Sequence, residues 1–225
     1  MTGLPEDYMN DILVRMAYHN SAIEGNTITL PETVSIIIEG TTPGNKSIRE
    51  FYEIENHKEA FHYVFKLYAH SEKLSIPIIK KIHSLLLDRL HHERGKFKST
   101  QNAIVGAEFR TATPEETPLL MTQWVDNTIY QLEHAKSTED KLTILSESHI
   151  LFERIHPFSD GNGRTGRMVL MYQALIEFGV PVVINSNNRA IYIQSLANQD
   201  SASLSKLFLQ SIHYEKERME HFTAD

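Results

Sequence analysis

The residues best suited to chemistry in this chain lie together in one short run, 156–167, which reads HPFSDGNGRTGR. The run holds a histidine, a carboxylate and, at 161–163, a Gly-Asn-Gly turn that can aim backbone N–H groups at an anion. Arg164 and Arg167 share one face of a helix, and guanidinium groups bind phosphate well. Each piece alone is also typical of an ordinary turn or cap. Together they favour a site that holds a polyphosphate and a metal ion beside a general base.

The same run matches, at every defined position, the signature of the Fic family, H-x-F-x-[D/E]-G-N-G-R-x-x-R. Fic proteins transfer a nucleoside monophosphate, usually AMP from ATP, to a hydroxyl side chain of a target protein. The chain therefore resembles a protein adenylyltransferase with ATP as co-substrate. The resemblance implies that His156 is the general base, that Asp160 holds Mg²⁺ and that Phe158 anchors the loop. The implied phosphate contacts come from Gly161, Asn162, Gly163, Arg164 and Arg167.

These implied roles agree with the chemistry of each group. A protonated hydroxyl is a poor nucleophile, and a histidine with an ordinary pKa of about 6.5 suits the removal of that proton. Metal, backbone amides and arginines neutralise most of the charge on transferring phosphates. A lone carboxylate such as Asp160 suits Mg²⁺, which keeps waters and takes other ligands from the substrate.

Helical periodicity covers almost the whole chain and places the run between two helices. Gly25 is a predicted C-cap, and Thr29 with Glu32 predicts the start of a short helix. Residues 97–106 break the pattern with β-branched and turn residues, which predicts a short hairpin. The other predicted helices cover 6–23, 48–70, 76–90, 114–134, 139–154, the stretch from the run to Gly179, 189–198 and 201–218.

The predicted fold is all-α, a helical bundle with one small β-hairpin, which is the Fic arrangement. The resemblance implies an N-terminal inhibitory segment at 1–30 and a Fic domain, a single globular unit, at 31–225. It also implies that the hairpin is a flap that docks the target segment as an added strand. Tyr192 and Asn198 would contact the nucleotide base, although an ordinary amphipathic helix explains them nearly as well. The docking residues of the flap would be Ile104, Val105 and Gly106.

Glu24 continues the apolar stripe of the first helix, in steps of three and four residues from Leu13 through Met16 and Asn20. A carboxylate on a buried stripe needs a cation, although in a last turn it can also reach solvent or a structural lysine. The segment resembles the inhibitory motif of autoinhibited Fic proteins, [S/T]-x-x-x-E-[G/N], with asparagine at the first position. The resemblance implies that Glu24 pairs with Arg167 and removes it from the γ-phosphate. In such relatives the glutamate can also position a water that removes AMP, which the sequence leaves open.

Composition places further bounds on the function. With 225 residues, 41% of them hydrophobic, and a net charge of −7, the chain suits one domain and gives no support for a nucleic-acid binder. It has no cysteine, which excludes a disulfide framework and a thiolate zinc site. No apolar run reaches membrane-span length and the N-terminus lacks a secretion signal, so we expect a cytoplasmic protein that binds no membrane. ATP and a hydroxyl-bearing target protein are the expected partners, and family habit favours a homodimer.

Two other functions are compatible with a run of this kind. A protein kinase like the Doc branch of the superfamily has a lysine where this chain has Gly163, so the intact anion loop argues against it. A catalytically silent nucleotide-binding interaction module would not need His156, Asp160 and both arginines. The sequence leaves the target, the modified residue and the preference for ATP over other nucleotides undetermined.

Overall fold

A computed structural model describes residues 4–104 and 109–223 of the chain. Within these ranges all regular structure is helical, which confirms the predicted all-α class. A π-helical turn (Ser35–Glu39) continues the second helix, and a 3₁₀ turn (Ser186–Asn188) precedes the eighth. No helix in these ranges is long and apolar enough to cross a membrane. The α-helices are α1 (Glu6–Ile23), α2 (Leu30–Val34), α3 (Ile48–Ala69), α4 (Ile76–Leu86), α5 (Thr117–His134), α6 (Thr138–Ile155), α7 (Asn162–Phe178), α8 (Arg189–Asn198) and α9 (Ser201–His221).

Local sequence signals account for where several helices begin and end. Thr29, Ser47 and Ser137 each form a capping box with the acidic residue three positions later, which satisfies free N–H groups at the starts of α2, α3 and α6. Gly25, the predicted C-cap, follows α1 with a φ of +96°, a conformation that glycine adopts readily. Helix α1 therefore ends just before Glu24, the residue that precedes Gly25.

The core is built around α7. From Met168 to Leu175 every residue of α7 is buried, so this stretch has no solvent face. One apolar cluster joins it to α1, α3 and α4, and a second joins it to α8 and α9. Because neighbouring helices hold α7 from several sides, the loop at its start has a defined position.

The first helix is part of this core. Tyr8, Ile12, Leu13 and Met16 are all at most 2% exposed and lie in the same cluster as residues of α3. The apolar stripe predicted for α1 is therefore buried as far as Met16. The division between residues 1–30 and 31–225 stays a prediction.

The β-hairpin predicted over residues 97–106 is absent from the described part of that segment, where the chain is irregular up to residue 104. Side-chain hydrogen bonds connect Asn102 of this segment to Thr111 and to the loop before α7. Thr111 Oγ1 donates to Asn102 O at 2.8 Å, and Asn102 Nδ2 donates to Phe158 O at 2.8 Å. Residues 105 and 106 of the predicted hairpin lie outside the described residues, so the hairpin stays a prediction. Two strands without a third strand or a packing face are only marginally stable.

Candidate active site

A glycine and an asparagine shape the loop before α7. Gly161 has a φ of +72°, and a Cβ at this position would also collide with the side chain of Leu87. Asn162 ties the loop together, since its Nδ2 donates to Phe158 O at 2.7 Å and its Oδ1 accepts from Phe158 N at 2.8 Å. The Gly161 N–H donates to Asp160 Oδ1 at 2.6 Å. The next N–H groups stand at the start of α7, where they have no partner within the helix.

Phe158 packs this loop into the core. Its ring is fully buried and stacks on the imidazole of His83, with 3.8 Å between the ring centroids. His83 Nδ1 accepts from Gly95 N at 2.8 Å, so its Nε2 carries the proton and donates to Asp160 O at 3.0 Å. Burial lowers the pKa of His83 to about 4, which keeps the ring neutral. His83 is not among the site residues predicted from sequence, and its only sequence signal is its place on the buried face of α4.

His156 terminates α6 in a left-handed conformation with a φ of +52°. Its Nδ1 lies 3.2 Å from Glu153 O. A carbonyl oxygen only accepts, so the proton sits on Nδ1 and Nε2 is the basic nitrogen. Burial lowers the pKa of His156 to about 4, although the bond to the Glu153 backbone raises it. The ring is neutral at neutral pH, which is the state of a general base before it accepts a proton.

Asp160 lies at the rim of the loop with its side chain 34% exposed. Its Oδ2 accepts from Arg49 Nη2 at 3.0 Å, and its Oδ1 lies 3.6 Å from Arg164 Nη2. Burial alone would raise the pKa of Asp160, but Arg164 and the bond from Arg49 outweigh it and hold that pKa below its ordinary value. An ionised, accessible carboxylate fits Mg²⁺. Across the described ranges, no three acidic or histidine side chains form a group that could hold a metal ion without substrate.

Arg164 is buried with unused donors. Only 4% of its side chain is exposed, yet neither Nε nor Nη1 has a hydrogen-bond partner in the described part of the chain. The nearest carboxylates, on Glu53 and Asp160, lie at 3.7 and 3.6 Å. A buried guanidinium with spare N–H groups is costly unless an anion completes its bonds. Arg164 therefore fits the predicted phosphate contact.

Arg167, by contrast, is bonded mainly to the end of α1, with its Nη1 donating to Tyr192 OH at 3.4 Å. Its Nη2 donates to Glu24 Oε1 at 2.5 Å, and its Nε donates to Asn20 Oδ1 at 2.5 Å. Burial alone would raise the pKa of Glu24, but Arg167 outweighs it and holds that pKa below its ordinary value. The Glu24 side chain is 41% exposed, whereas that of Arg167 is 4% exposed. The carboxylate is thus the partner that can leave.

Asn20, which departs from the serine or threonine of the inhibitory motif, uses both ends of its amide. Its Oδ1 accepts from Arg167, and its Nδ2 lies 2.8 Å from His57 Nε2. His57 Nδ1 donates to Glu53 O at 2.7 Å, which leaves Nε2 as an acceptor for the Asn20 amide. A hydroxyl at this position could not span both partners in the same way.

A cavity joins Glu24, His156 and Arg167, but not Asp160 or Arg164, to α8 and to the loop after α4. Tyr192 is fully buried in its wall, and its hydroxyl lies 2.8 Å from His149 Nε2. Asn198, at the last position of α8, is exposed and does not line the cavity. Val105 and Gly106 lie outside the described residues. The residues that line the cavity are Glu24, Ile104, Phe109, Glu153, Arg154, His156, Gly163, Arg167, Tyr192, Ile193, Leu196 and Ala197.

Glu153, which is also not among the site residues predicted from sequence, lines this cavity with its side chain. It is 8% exposed, and its Oε1 has no hydrogen-bond partner in the ranges described. Its position three residues before His156 places it on the last turn of α6, but many surface glutamates occupy such positions. The sequence therefore offers no signal that this carboxyl group is buried.

Comparison with known proteins agrees with this geometry. A model of the Fic/DOC family matches residues 73–174. The protein adenylyltransferase Fic of Nematostella vectensis is 35% identical over 182 residues, 80% of this chain and 41% of that protein. The protein adenylyltransferase fic-1 of Caenorhabditis elegans is 30% identical over 191 residues, 84% of this chain and 37% of that protein. The chain thus spans about two fifths of the length of these curated relatives.

Solved structures show the same fold. A Fic domain-containing signaling protein from Bacteroides thetaiotaomicron superposes with a TM-score of 0.79 and 25% identity, over 94% of this chain and 90% of that one. Fic-1 from C. elegans superposes with a TM-score of 0.74 and 25% identity, over 94% of this chain and 62% of that one. Signature, family model and fold agree: the chain resembles the Fic/DOC family, whose model matches residues 73–174.

Proposed function

We propose that this protein is an adenylyltransferase that transfers AMP from ATP to a hydroxyl side chain of a target protein. The observation that carries the proposal is an anion site at the start of α7 whose hydrogen-bond donors are not all satisfied within the described part of the chain. There, two buried nitrogen atoms of Arg164 have no hydrogen-bond partner in the described residues, and the protein's own Glu24 carboxylate occupies Arg167. Relatives named protein adenylyltransferases support the same reaction.

In the proposed reaction the target hydroxyl oxygen attacks the α-phosphorus of ATP. His156 Nε2 takes the hydroxyl proton, the bond from the α-phosphorus to the bridging oxygen breaks, and pyrophosphate leaves. Arg164, Arg167 and the N–H groups that follow Gly161 neutralise the phosphate charge. Mg²⁺, when bound at Asp160, supplies further charge neutralisation at the phosphates.

The same site is autoinhibited in our proposal. Glu24 holds Arg167 through a contact of 2.5 Å and so keeps this guanidinium from the γ-phosphate. A phosphate can displace Glu24 because this side chain is partly exposed. Glu24 also caps the end of α1, directly before Gly25, and is not held within the helix. A charged contact of this kind is strict in geometry but reversible.

The test is nucleotide transfer by the Glu24→Gly variant. We expect incorporation of label from α-labelled ATP, into the protein itself or a target, to rise on the order of a hundredfold, as when a charge-stabilising donor becomes available to the transition state. Glu39→Gly, which removes an exposed carboxylate at the end of the following helical segment, is the matched control and should leave transfer unchanged. Adding His156→Ala to the active variant should abolish transfer.

Each other function predicts a different result. Label from the γ-phosphate would indicate a kinase, and no label in the Glu24→Gly variant would indicate a silent binding module. Mass spectrometry of the variant after exposure to ATP and Mg²⁺ would give the added mass and the modified residue. The roles of Tyr192, Asn198 and the flap residues, residues 1–30 as the inhibitory segment, removal of AMP, a homodimer and a cytoplasmic location stay predictions.

A further inference from the structure

Glu153 is a buried carboxyl group that the proposed reaction does not use. It lies one turn before His156 on α6, and 8% of the residue is exposed. Its Oε1 has no hydrogen-bond partner in the described residues, and the side chain lines the same cavity as Arg167. A buried carboxyl oxygen without a partner is rare enough in proteins to need a physical reason.

Two glycines on α7 let two carboxylates approach the helix that carries Arg167. A Cβ at Gly163 would collide with the carboxylate of Glu24, and a Cβ at Gly166, one turn later, would collide with that of Glu153. The two carboxylates differ in how they are held. Glu24 is partly exposed at the end of α1, whereas Glu153 is buried within α6 and cannot withdraw into solvent.

The charges around Glu153 place its ionisation near neutral pH. Burial raises the pKa of Glu153, Arg167 lowers it and Glu24 raises it, and the balance of the three places it at about 7. From α8, Tyr192 faces the same group, and burial raises the pKa of its hydroxyl, so it stays neutral. On α6 itself, burial lowers the pKa of His149 to about 3 and that of His156 to about 4, so both rings are neutral.

A nucleotide at Arg167 changes this balance. When the triphosphate takes the place of Glu24, more negative charge lies near Glu153 than the single carboxylate supplied. Like charges favour the neutral form of a carboxyl group, so the phosphates push Glu153 toward its protonated state. Bound phosphate makes ionisation of Glu153 less favourable by a certain free energy. By linkage, ionisation of Glu153 weakens phosphate binding by that same free energy.

We propose that Glu153 is a positioning residue that takes up a proton when nucleotide phosphate replaces Glu24 at Arg167, and that its neutral form leaves the guanidinium to the phosphate. The inference rests on the proposed function, because it assumes that a nucleotide binds at this site. It gives the enzyme a nucleotide affinity that falls as the pH rises through 7.

Calorimetry of ATP binding tests the proposal. Glu24→Gly and Glu24→Gly/Glu153→Gln are titrated with ATP and Mg²⁺ at pH 7, in two buffers with different heats of ionisation. We expect the first variant to take up more protons than the second, by as much as one, and its affinity to weaken by up to about tenfold per pH unit above 7 relative to the second. Equal proton uptake and equal pH dependence would overturn the inference.

Two controls separate this outcome from others. Glu24→Gly/His156→Ala should keep the proton uptake, and its loss there would assign the proton to the histidine and overturn the inference. Failure of Glu24→Gly itself to bind ATP would instead defeat the proposed function. Should the glutamine variant fail to fold, infrared difference spectra of Glu24→Gly on ATP binding decide the question. A gain in the protonated-carboxyl band supports the proposal, and no gain contradicts it.

Discussion

Single residues on α7 set how closely charged groups can approach it. Gly166 occupies one of the four unspecified positions of the family signature, so the motif does not require a glycine there. In this chain a Cβ at Gly166 would collide with Glu153 and lie 3.0 Å from the Phe152 ring. The residue is therefore fixed by packing against α6 rather than by backbone conformation, since its φ is ordinary for a helix.

We expect Gly166→Ala to lower the free energy of unfolding by about 1–3 kcal/mol, because the added methyl overpacks a buried contact. Without that clash the substitution would stabilise a helix interior. Gly44→Ala is the matched control, since a Cβ there meets nothing within 4 Å, and it should not destabilise the protein. Urea unfolding measures both. A Gly166→Ala protein as stable as its parent would contradict the predicted clash.

At the scale of elements, charged contacts hold α1 at two points. Near its middle, Arg15 donates to Glu215 of α9 at 2.5 and 2.8 Å, and Tyr8 OH donates to the same carboxylate at 3.0 Å. At its end, Glu24 contacts Arg167 of α7. The Glu215 pair is buried, whereas the Glu24 pair is partly exposed. The helix body is thus anchored while its last residue remains exchangeable.

We expect Glu215→Ala to lower the free energy of unfolding by about 3–5 kcal/mol, because it leaves Arg15 buried beside α9 without its main partner. Glu217→Ala, an exposed position on the same helix, should change stability by less than about 0.5 kcal/mol. Equilibrium unfolding in urea measures both variants. Similar small effects at the two positions would show that the buried pair does not anchor α1.

At the scale of the whole molecule, several histidines are folded in as neutral groups. Burial lowers the pKa of His57 and of His149 to about 3, and that of His83 to about 4. All three lie against the candidate site, through Asn20, Tyr192 and Phe158. Protonation of any of them would place an uncompensated charge in the core.

The sign of the resulting pH dependence follows from these depressed values. The unfolded chain protonates these histidines near pH 6.5, so their contribution to stability is complete above that pH and is lost as the pH falls toward 4. Each costs roughly 1.4 kcal/mol per pH unit in that window. Glu153, with its raised pKa, acts in the opposite direction, but it is one group against these three histidines and His156, whose pKa burial also lowers. We therefore expect the midpoint of thermal unfolding to fall steeply from pH 7 to pH 5, and a flat profile would contradict this.

Short-range features of this protein could be predicted from its sequence alone. The signature run, the caps at Thr29 and Gly25, and the helical periods depend on residues within one or two turns of each other, so sequence spacing specifies them. The same spacing placed Glu24 on the stripe of α1 and both arginines on one face of α7. What the run would bind came from the family resemblance.

Contacts between distant segments were decided only by packing. The sequence predicts helix α4 to run to about residue 90, but the helix ends at Leu86. At this end, Asn56 of α3 donates to the carbonyl oxygens of Leu86 and Asp88 at 3.0 and 2.7 Å. The stacking of His83 on Phe158 and the burial of Glu153 have the same origin. In each case the contact partner lies on another element. A local sequence pattern does not specify which surfaces of the helices pack against each other.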